Sequence, residues 1–173
     1  MTQEWVMSDP HFEHAKIIEW TRREAKGFQD VDDMRWKLIK QWNSIVKPED
    51  KVYCLGDFAF GKELGVIQRI AEQLNGNKHL ILGNHDTDAK IRIYQNYFRL
   101  AGSIHSGSVV MTHIPVYQEE FNNRDVMFNI HGHNHNKCLP DSRYINVNYD
   151  MMPAGKMFLN LSELRRTRRV VYE

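Results

Sequence analysis

Residues 51–86 read KVYCLGDFAFGKELGVIQRIAEQLNGNKHLILGNHD. Lys51 to Leu55 is a short apolar run of β-favouring residues, closed by Gly56-Asp57. Glu63 to Leu74 then sets Leu64, Ile67, Ile70, Ala71 and Leu74 on one helical face. Asn75-Gly76-Asn77 is a turn signal. His79 to Leu82 is a second buried strand, closed by Gly83-Asn84-His85-Asp86. Alternating β and α segments of this kind predict an α/β layered sheet.

The same rhythm extends upstream. Glu4 to Met7 reads as a first strand ending at Ser8-Asp9, and Glu13 to Arg23 carries Ile17, Ile18 and Trp20 at helical spacing. A second helix is predicted from Asp30 to Val46. Met34, Leu38, Ile45 and both tryptophans, Trp36 and Trp42, form its buried stripe, and Pro48 ends it. Downstream the character changes. Ser108 to Thr112, Val126 to Ile130 and Arg143 to Val147 are β-like, with little helix between them. Two packed sheets, or one mixed sheet, flanked by helices accommodate this order.

The 173 residues suit one domain, 1–173, with no repeat or linker visible. The formal charge of +1 gives no global attraction to nucleic acid or membrane. Two cysteines, Cys54 and Cys138, are too few for a disulfide framework, and Cys54 reads as a buried thiol. No signal-peptide pattern and no apolar run of roughly 18 residues is present, so a cytoplasmic protein without membrane partners is expected. Arg165, Arg166, Arg168 and Arg169 read as a solvated surface.

Five motifs stand where β-like runs end: Asp9-Pro10-His11, Gly56-Asp57, Gly83-Asn84-His85-Asp86, Thr112-His113 and Gly132-His133-Asn134-His135. Strand ends of layered α/β proteins converge on one ligand site. Asp9 and His11 are two apart, as are His133 and His135, and an extended chain points such a pair to one side. Carboxylate, imidazole and amide without thiolate suit Mn²⁺, Fe, Zn²⁺, Ni²⁺ or Co²⁺ better than Ca²⁺ or a closed structural zinc site. Two divalent cations against the carboxylates of Asp9 and Asp57 leave an excess of about +2, which favours a phosphate ester and acidifies bound water.

This ordered set resembles the calcineurin-like metallophosphoesterase superfamily. Ser8-Asp9-Pro10-His11-Phe12-Glu13-His14, with Trp42-Asn43 and Leu55-Gly56-Asp57-Phe58, is similar to its compact bacterial and phage branch. The resemblance implies a two-sheet β-sandwich flanked by helices, with a dinuclear metal site at the strand ends. It implies that Asp9, His11 and His135 hold one metal, that Asn84, His113 and His133 hold the other, and that Asp57 bridges them. It implies that His85 faces the substrate phosphate, with Asp86 hydrogen-bonded to His85 to fix its tautomer, and that metal-bound hydroxide attacks phosphorus in line. Pro10 departs from the small polar residue common at that position.

His14, Arg23 and Arg124 are candidate substrate contacts, with Arg22 a further cation near the first motif; guanidinium suits phosphate. His131, His79 and His105 read as structural. The expected substrate is a small phosphodiester such as a cyclic nucleotide. A phosphomonoesterase or nuclease with the same centre is the alternative, and a non-catalytic interaction module comes last. A nucleic-acid partner is the less favoured reading.

Overall fold

The structure is a computed structural model that describes residues 2–122 and 125–167. The chain begins with β1 (Glu4–Met7), α1 (Ala15–Trp20), α2 (Val31–Ile45), β2 (Lys51–Cys54) and α3 (Leu64–Gln73). It continues with β3 (Asn77–Ile81), α4 (Asp88–Tyr94), β4 (Arg99–Ala101), β5 (Ile104–Ser106) and β6 (Val109–Met111). The last elements are β7 (Phe128–His131), β8 (Tyr144–Asn146), β9 (Leu159–Asn160) and α5 (Leu161–Thr167).

These strands form two sheets. One has the order β4-β3-β2-β1-β9 and the other β5-β6-β7-β8. In the first, β1, β2, β3 and β4 are parallel, with Val6 beside Tyr53 and Tyr53 beside His79, and β9 is antiparallel to β1. In the second, β6, β7 and β8 are parallel and β5 is antiparallel to β6.

Strand side chains alternate between faces, and the first sheet is buried on both. Met7, Val52, Cys54 and Leu80 pack outward against Met34, Leu38 and Trp42 of α2 and Ile67, Ile70 and Ala71 of α3. Val6, Tyr53, Leu55 and Ile81 point inward, onto Val109, Met111, Phe128, Ile130 and Ile145 of the second sheet. That double burial is why Val52 to Leu55 and Leu80 to Leu82 read as continuous apolar runs. Burial pushes the Cys54 thiol up and leaves it unreactive.

Two expectations need correction. The helix expected over Glu13 to Arg23 stops at Trp20, and Arg22 (φ 58°) turns the chain left-handed into a 3-10 turn, Arg23–Lys26. Trp20 is 65% exposed. Trp36 is 60% exposed, so Trp42 alone of the two α2 tryptophans joins the buried stripe. Helical spacing locates a face but not its edge, and α2 covers the sheet with a face too narrow to include position 36. Among the described residues no helix is long and apolar enough to cross a membrane.

Candidate metal centre

The motif loops lie side by side at one end of the sheets. Asp9 N–H donates to Gly56 O (3.1 Å), His11 N–H to Asp57 O (3.2 Å) and Phe12 N–H to Phe58 O (3.0 Å). The loop after β1 therefore runs along the loop after β2. Gly132 N–H donates to His113 O (3.0 Å), joining the loops after β6 and β7 in the same way. His133 N–H donates to Asp9 Oδ2 (3.0 Å) and links the two pairs.

The local backbone is not the extended chain expected from the two-residue spacings. Asp9, His11, Asp57, His133 and His135 all have positive φ, between 47° and 64°. Left-handed backbone at non-glycine residues is held only where surrounding contacts over-determine it, and it clusters at functional sites. Asp9 and His11 reach one point because the loop coils, not because a strand alternates, while His135 joins them and His133 turns to Asn84 and His113. Close approach also fixes a glycine: a Cβ on Gly132 would lie 2.0 Å from Ser8 Oγ and 2.2 Å from Asp9 Oδ2.

Asp9, His11 and His135 bring ligand atoms within 4.8 Å of one another. Asp9 and His11 are buried, and the rings of His11 and His135 stack at 5.3 Å. Asp9 Oδ1 and both His11 nitrogens are buried without a hydrogen-bond partner among the described residues. Burial pushes the Asp9 carboxyl up to about 6 and, with Arg23 adding to it, the His11 imidazole down to about 2. A buried carboxylate and a neutral imidazole with unused lone pairs are what a cation requires, and leaving them unpaired is costly.

Beside this trio, Asn84 Oδ1 lies 2.9 Å from His113 Nε2 and 3.0 Å from His133 Nδ1, and the two ring nitrogens are 3.3 Å apart. His113 Nδ1–H donates to Leu55 O (2.8 Å), which selects the neutral tautomer whose lone pair is on Nε2. Two nitrogens and an amide oxygen thus face one point. Asp57 Oδ2 lies between the groups, 3.7 Å from His11 Nε2 and 3.5 Å from His113 Nε2. Asp57 Oδ1 is occupied by the N–H of His85 (2.9 Å). These donors fit two cations sharing Asp57.

His85 stands at the rim. Its side chain is 43% exposed, with Nε2 3.9 Å from Asp57 Oδ2. Its ring meets Phe60 at 5.1 Å and His11 at 5.8 Å. The expected Asp86–His85 bond is replaced by another arrangement. The Asp86 carboxylate accepts from the N–H groups of Asp57 (2.9 Å), Phe58 (3.2 Å) and Gly83 (2.8 Å). Asp86 therefore shapes the loop that carries Asp57 and leaves the His85 ring to other partners. Buried Lys90 adds a second clamp, donating to Ala59 O (2.7 Å) and His85 O (2.8 Å).

Two candidate substrate contacts are engaged by the fold itself, Arg23 behind the first motif and His14 with its ring 5.5 Å from that of His11. Arg23 is fully buried and donates to Asp9 O (2.9 Å), Pro10 O (2.7 Å) and Asp150 Oδ1 (2.7 Å). With every branch of the guanidinium engaged, it is not a phosphate clamp. His14 is buried: its Nδ1 accepts from Ile17 N–H to start α1, and its ring packs on Phe60 at 3.9 Å. Arg124 lies outside the described residues, as do Arg168 and Arg169. Arg22 is exposed on the turn after α1.

Lys90 and Asp150 were missed by sequence reasoning. His135 Nδ1–H donates to Asp150 Oδ2 (2.7 Å), and burial of that carboxyl is outweighed by His135 and Arg23, which hold it at about 2. Asp150 follows Asn146 and Asn148 at alternate positions through the end of the β-like run Arg143 to Val147, and that polar alternation is the signal that could have exposed it. Lys90 sits on a helix the apolar pattern does not announce.

The calcineurin-like phosphoesterase family model matches residues 5–169. An uncharacterized protein of Methanocaldococcus jannaschii is 34% identical over 150 residues, 84% of this chain and 77% of that protein. The gene 66 protein of Mycobacterium phage L5 is 30% identical over 134 residues, 73% of this chain and 62% of the phage protein. A solved structure of a protein of unknown function from Aquifex aeolicus has a TM-score of 0.74 at 23% identity, covering 96% of this chain and 99% of that one. That likeness bears on the fold.

Proposed function

We propose that this chain, which belongs to the calcineurin-like phosphoesterase family, is a metal-dependent hydrolase of small phosphodiesters, with cyclic nucleotides as the first substrates to test. The observation that carries the reading is the position of Asp57 Oδ2 between two groups of inward-facing donors. Asp9, His11 and His135 would hold one cation and Asn84, His113 and His133 the other, with Asp57 shared. Bound there, the cations would supply an acidified water and neutralise phosphoryl charge, and manganese is the ion to test first.

The chain's own residues do the rest. Asp86 and Lys90 hold the loops of Asp57 and His85 in register, so the His85 ring faces the mouth of the centre. From there His85 would donate a proton to the leaving oxygen. The exposed faces of Phe60 (41%) and Trp20 (65%) lie along this rim, joined through the ring of His14. They offer apolar surface to an organic ester group. A nuclease fits less well, since Arg165 is engaged by Glu4 and Ser106. Two free thiols, Cys54 and Cys138, suit a reducing cytoplasm.

Metal-stripped protein should regain hydrolysis of bis-p-nitrophenyl phosphate when Mn²⁺, Ni²⁺ or Zn²⁺ is restored, with a higher kcat/KM than for p-nitrophenyl phosphate. Strong preference for the monoester would sink the diesterase assignment. Absence of turnover on either ester, with two ions bound, would sink the small-diesterase reading in favour of a narrowly specific enzyme or a scaffold.

A further inference from the structure

Arg23 and Asp150 form an ion pair with side-chain exposures of 0% and 1%. Such a pair gives little net stability, because desolvation offsets most of the Coulomb attraction. Its neighbours indicate another task. Asp150 sits in the 3-10 turn Tyr149–Met151, where its N–H donates to Asn148 Oδ1 (2.9 Å). Tyr149 N–H ties that turn to Ser8 O (2.9 Å), next to Asp9. Asp150 Oδ1 accepts from Arg23 Nε (2.7 Å) and Thr21 Oγ1 (3.0 Å), and Oδ2 accepts from His135 Nδ1–H (2.7 Å). Arg23 directs its other donors to Asp9 O and Pro10 O. One ion pair therefore joins the loop of Asp9 and His11 to the ring of His135.

We propose that Asp150, held by Arg23, is the positioning residue of the first metal pocket: it keeps His135 in the tautomer with a bare Nε2 and fixes that ring beside His11. The inference rests on the dinuclear reading above. A carboxylate is required because Arg23 and His135 donate to it from opposite sides, with Thr21 beside Arg23. An amide at position 150 has one oxygen and cannot accept on both sides. If that oxygen serves Arg23, its NH₂ faces His135 and favours the Nε2–H form, which cannot bind a metal. Carboxylate partners of metal-binding histidines commonly act in this way.

Long-range proton–nitrogen NMR of the metal-free protein in alkaline buffer reads the tautomer directly. Wild-type His135 is expected as Nδ1–H, and Asp150→Asn as Nε2–H. Calorimetric titration with Mn²⁺ should then find two ions in wild type. In Asp150→Asn, one site should keep its affinity and the other weaken about 10- to 100-fold. An Nε2–H tautomer in wild type, where folding of the variant is not in question, overturns the proposal. So does a folded Asp150→Asn protein that binds both ions as tightly as wild type. Wild-type protein that takes up fewer than two ions breaks the dinuclear reading itself and removes the proposal's premise, whereas a tautomer failure beside two bound ions breaks only the proposal.

Discussion

The two halves of the centre are built on different support. In the half formed by Asn84, His113 and His133, the orienting contact is a backbone carbonyl, Leu55 O, and the donors touch one another. In the half formed by Asp9, His11 and His135, the orienting group is a buried side-chain ion pair, and Asp9 Oδ1 and His11 keep unsatisfied buried atoms. A backbone support persists through side-chain substitution, while an ion pair does not. The half of Asp9, His11 and His135 should therefore be the more fragile to mutation and the more dependent on its ion.

Asp57 is common to both halves, so its replacement erases the distinction and has the largest effect. Asp57→Asn should lower kcat/KM by on the order of 10³-fold, about 4 kcal/mol, with the circular dichroism spectrum unchanged. Retention of wild-type turnover would contradict the shared-ligand geometry. His85→Ala should cost about 10²-fold in kcat, the low end for a positioned acid, while both ions still bind. Loss of an ion in that variant would mean that His85 belongs to the ligand set.

Gly132→Ala separates the halves. The added methyl meets Ser8 Oγ and the Asp9 carboxylate and has no room to relax without moving Asp9. A cost of about 1–3 kcal/mol in stability is expected, with Mn²⁺ affinity reduced at one site only. Equal weakening of both sites in a calorimetric titration would show that the halves are not independent.

What was legible in advance follows the same division. The first sheet's inner strands announce themselves, because β2 and β3 finish in apolar runs, Val52 to Leu55 and Leu80 to Leu82, that lead into Gly-Asp and Gly-Asn-His-Asp. The convergence of strand-end motifs was legible too, since acids, histidines and glycines recur at each exit. The short elements were not: α4, β4, β5 and β9 carry too few residues for a period to develop. Asp86 and Arg23 were placed on the wrong partners for one physical reason. A motif gives a residue's neighbours in sequence, while a buried carboxylate or guanidinium goes to whichever backbone groups folding leaves unpaired. For Asp86 those are the N–H groups of Asp57 and Phe58, and for Arg23 the carbonyls of Asp9 and Pro10.

The smallest effect concerns the metal-free protein and its pH response. His11 has a folded pKa of about 2 against 6.5 in the unfolded chain, because burial disfavours its charged form. Its contribution to stability is full above 6.5 and is lost as pH falls from there toward 2. Buried His131, lowered to about 4 mainly by burial, acts in the same direction. Asp9 opposes them. Its pKa, raised from 3.8 to about 6, means the folded state binds the proton more tightly, so its contribution grows as pH falls between those values. The histidine shifts span the wider range, so the melting temperature of stripped protein should fall on acidification below neutrality. His11→Gln should flatten that fall, because the variant has no imidazole to protonate and keeps the opposing Asp9. Among the proposed ligands, His11 and Asp9 are the ones that keep buried atoms without a hydrogen-bond partner among the described residues. A His11→Gln melting profile parallel to wild type from neutral to mildly acidic pH would mean that the acid sensitivity originates outside the first pocket.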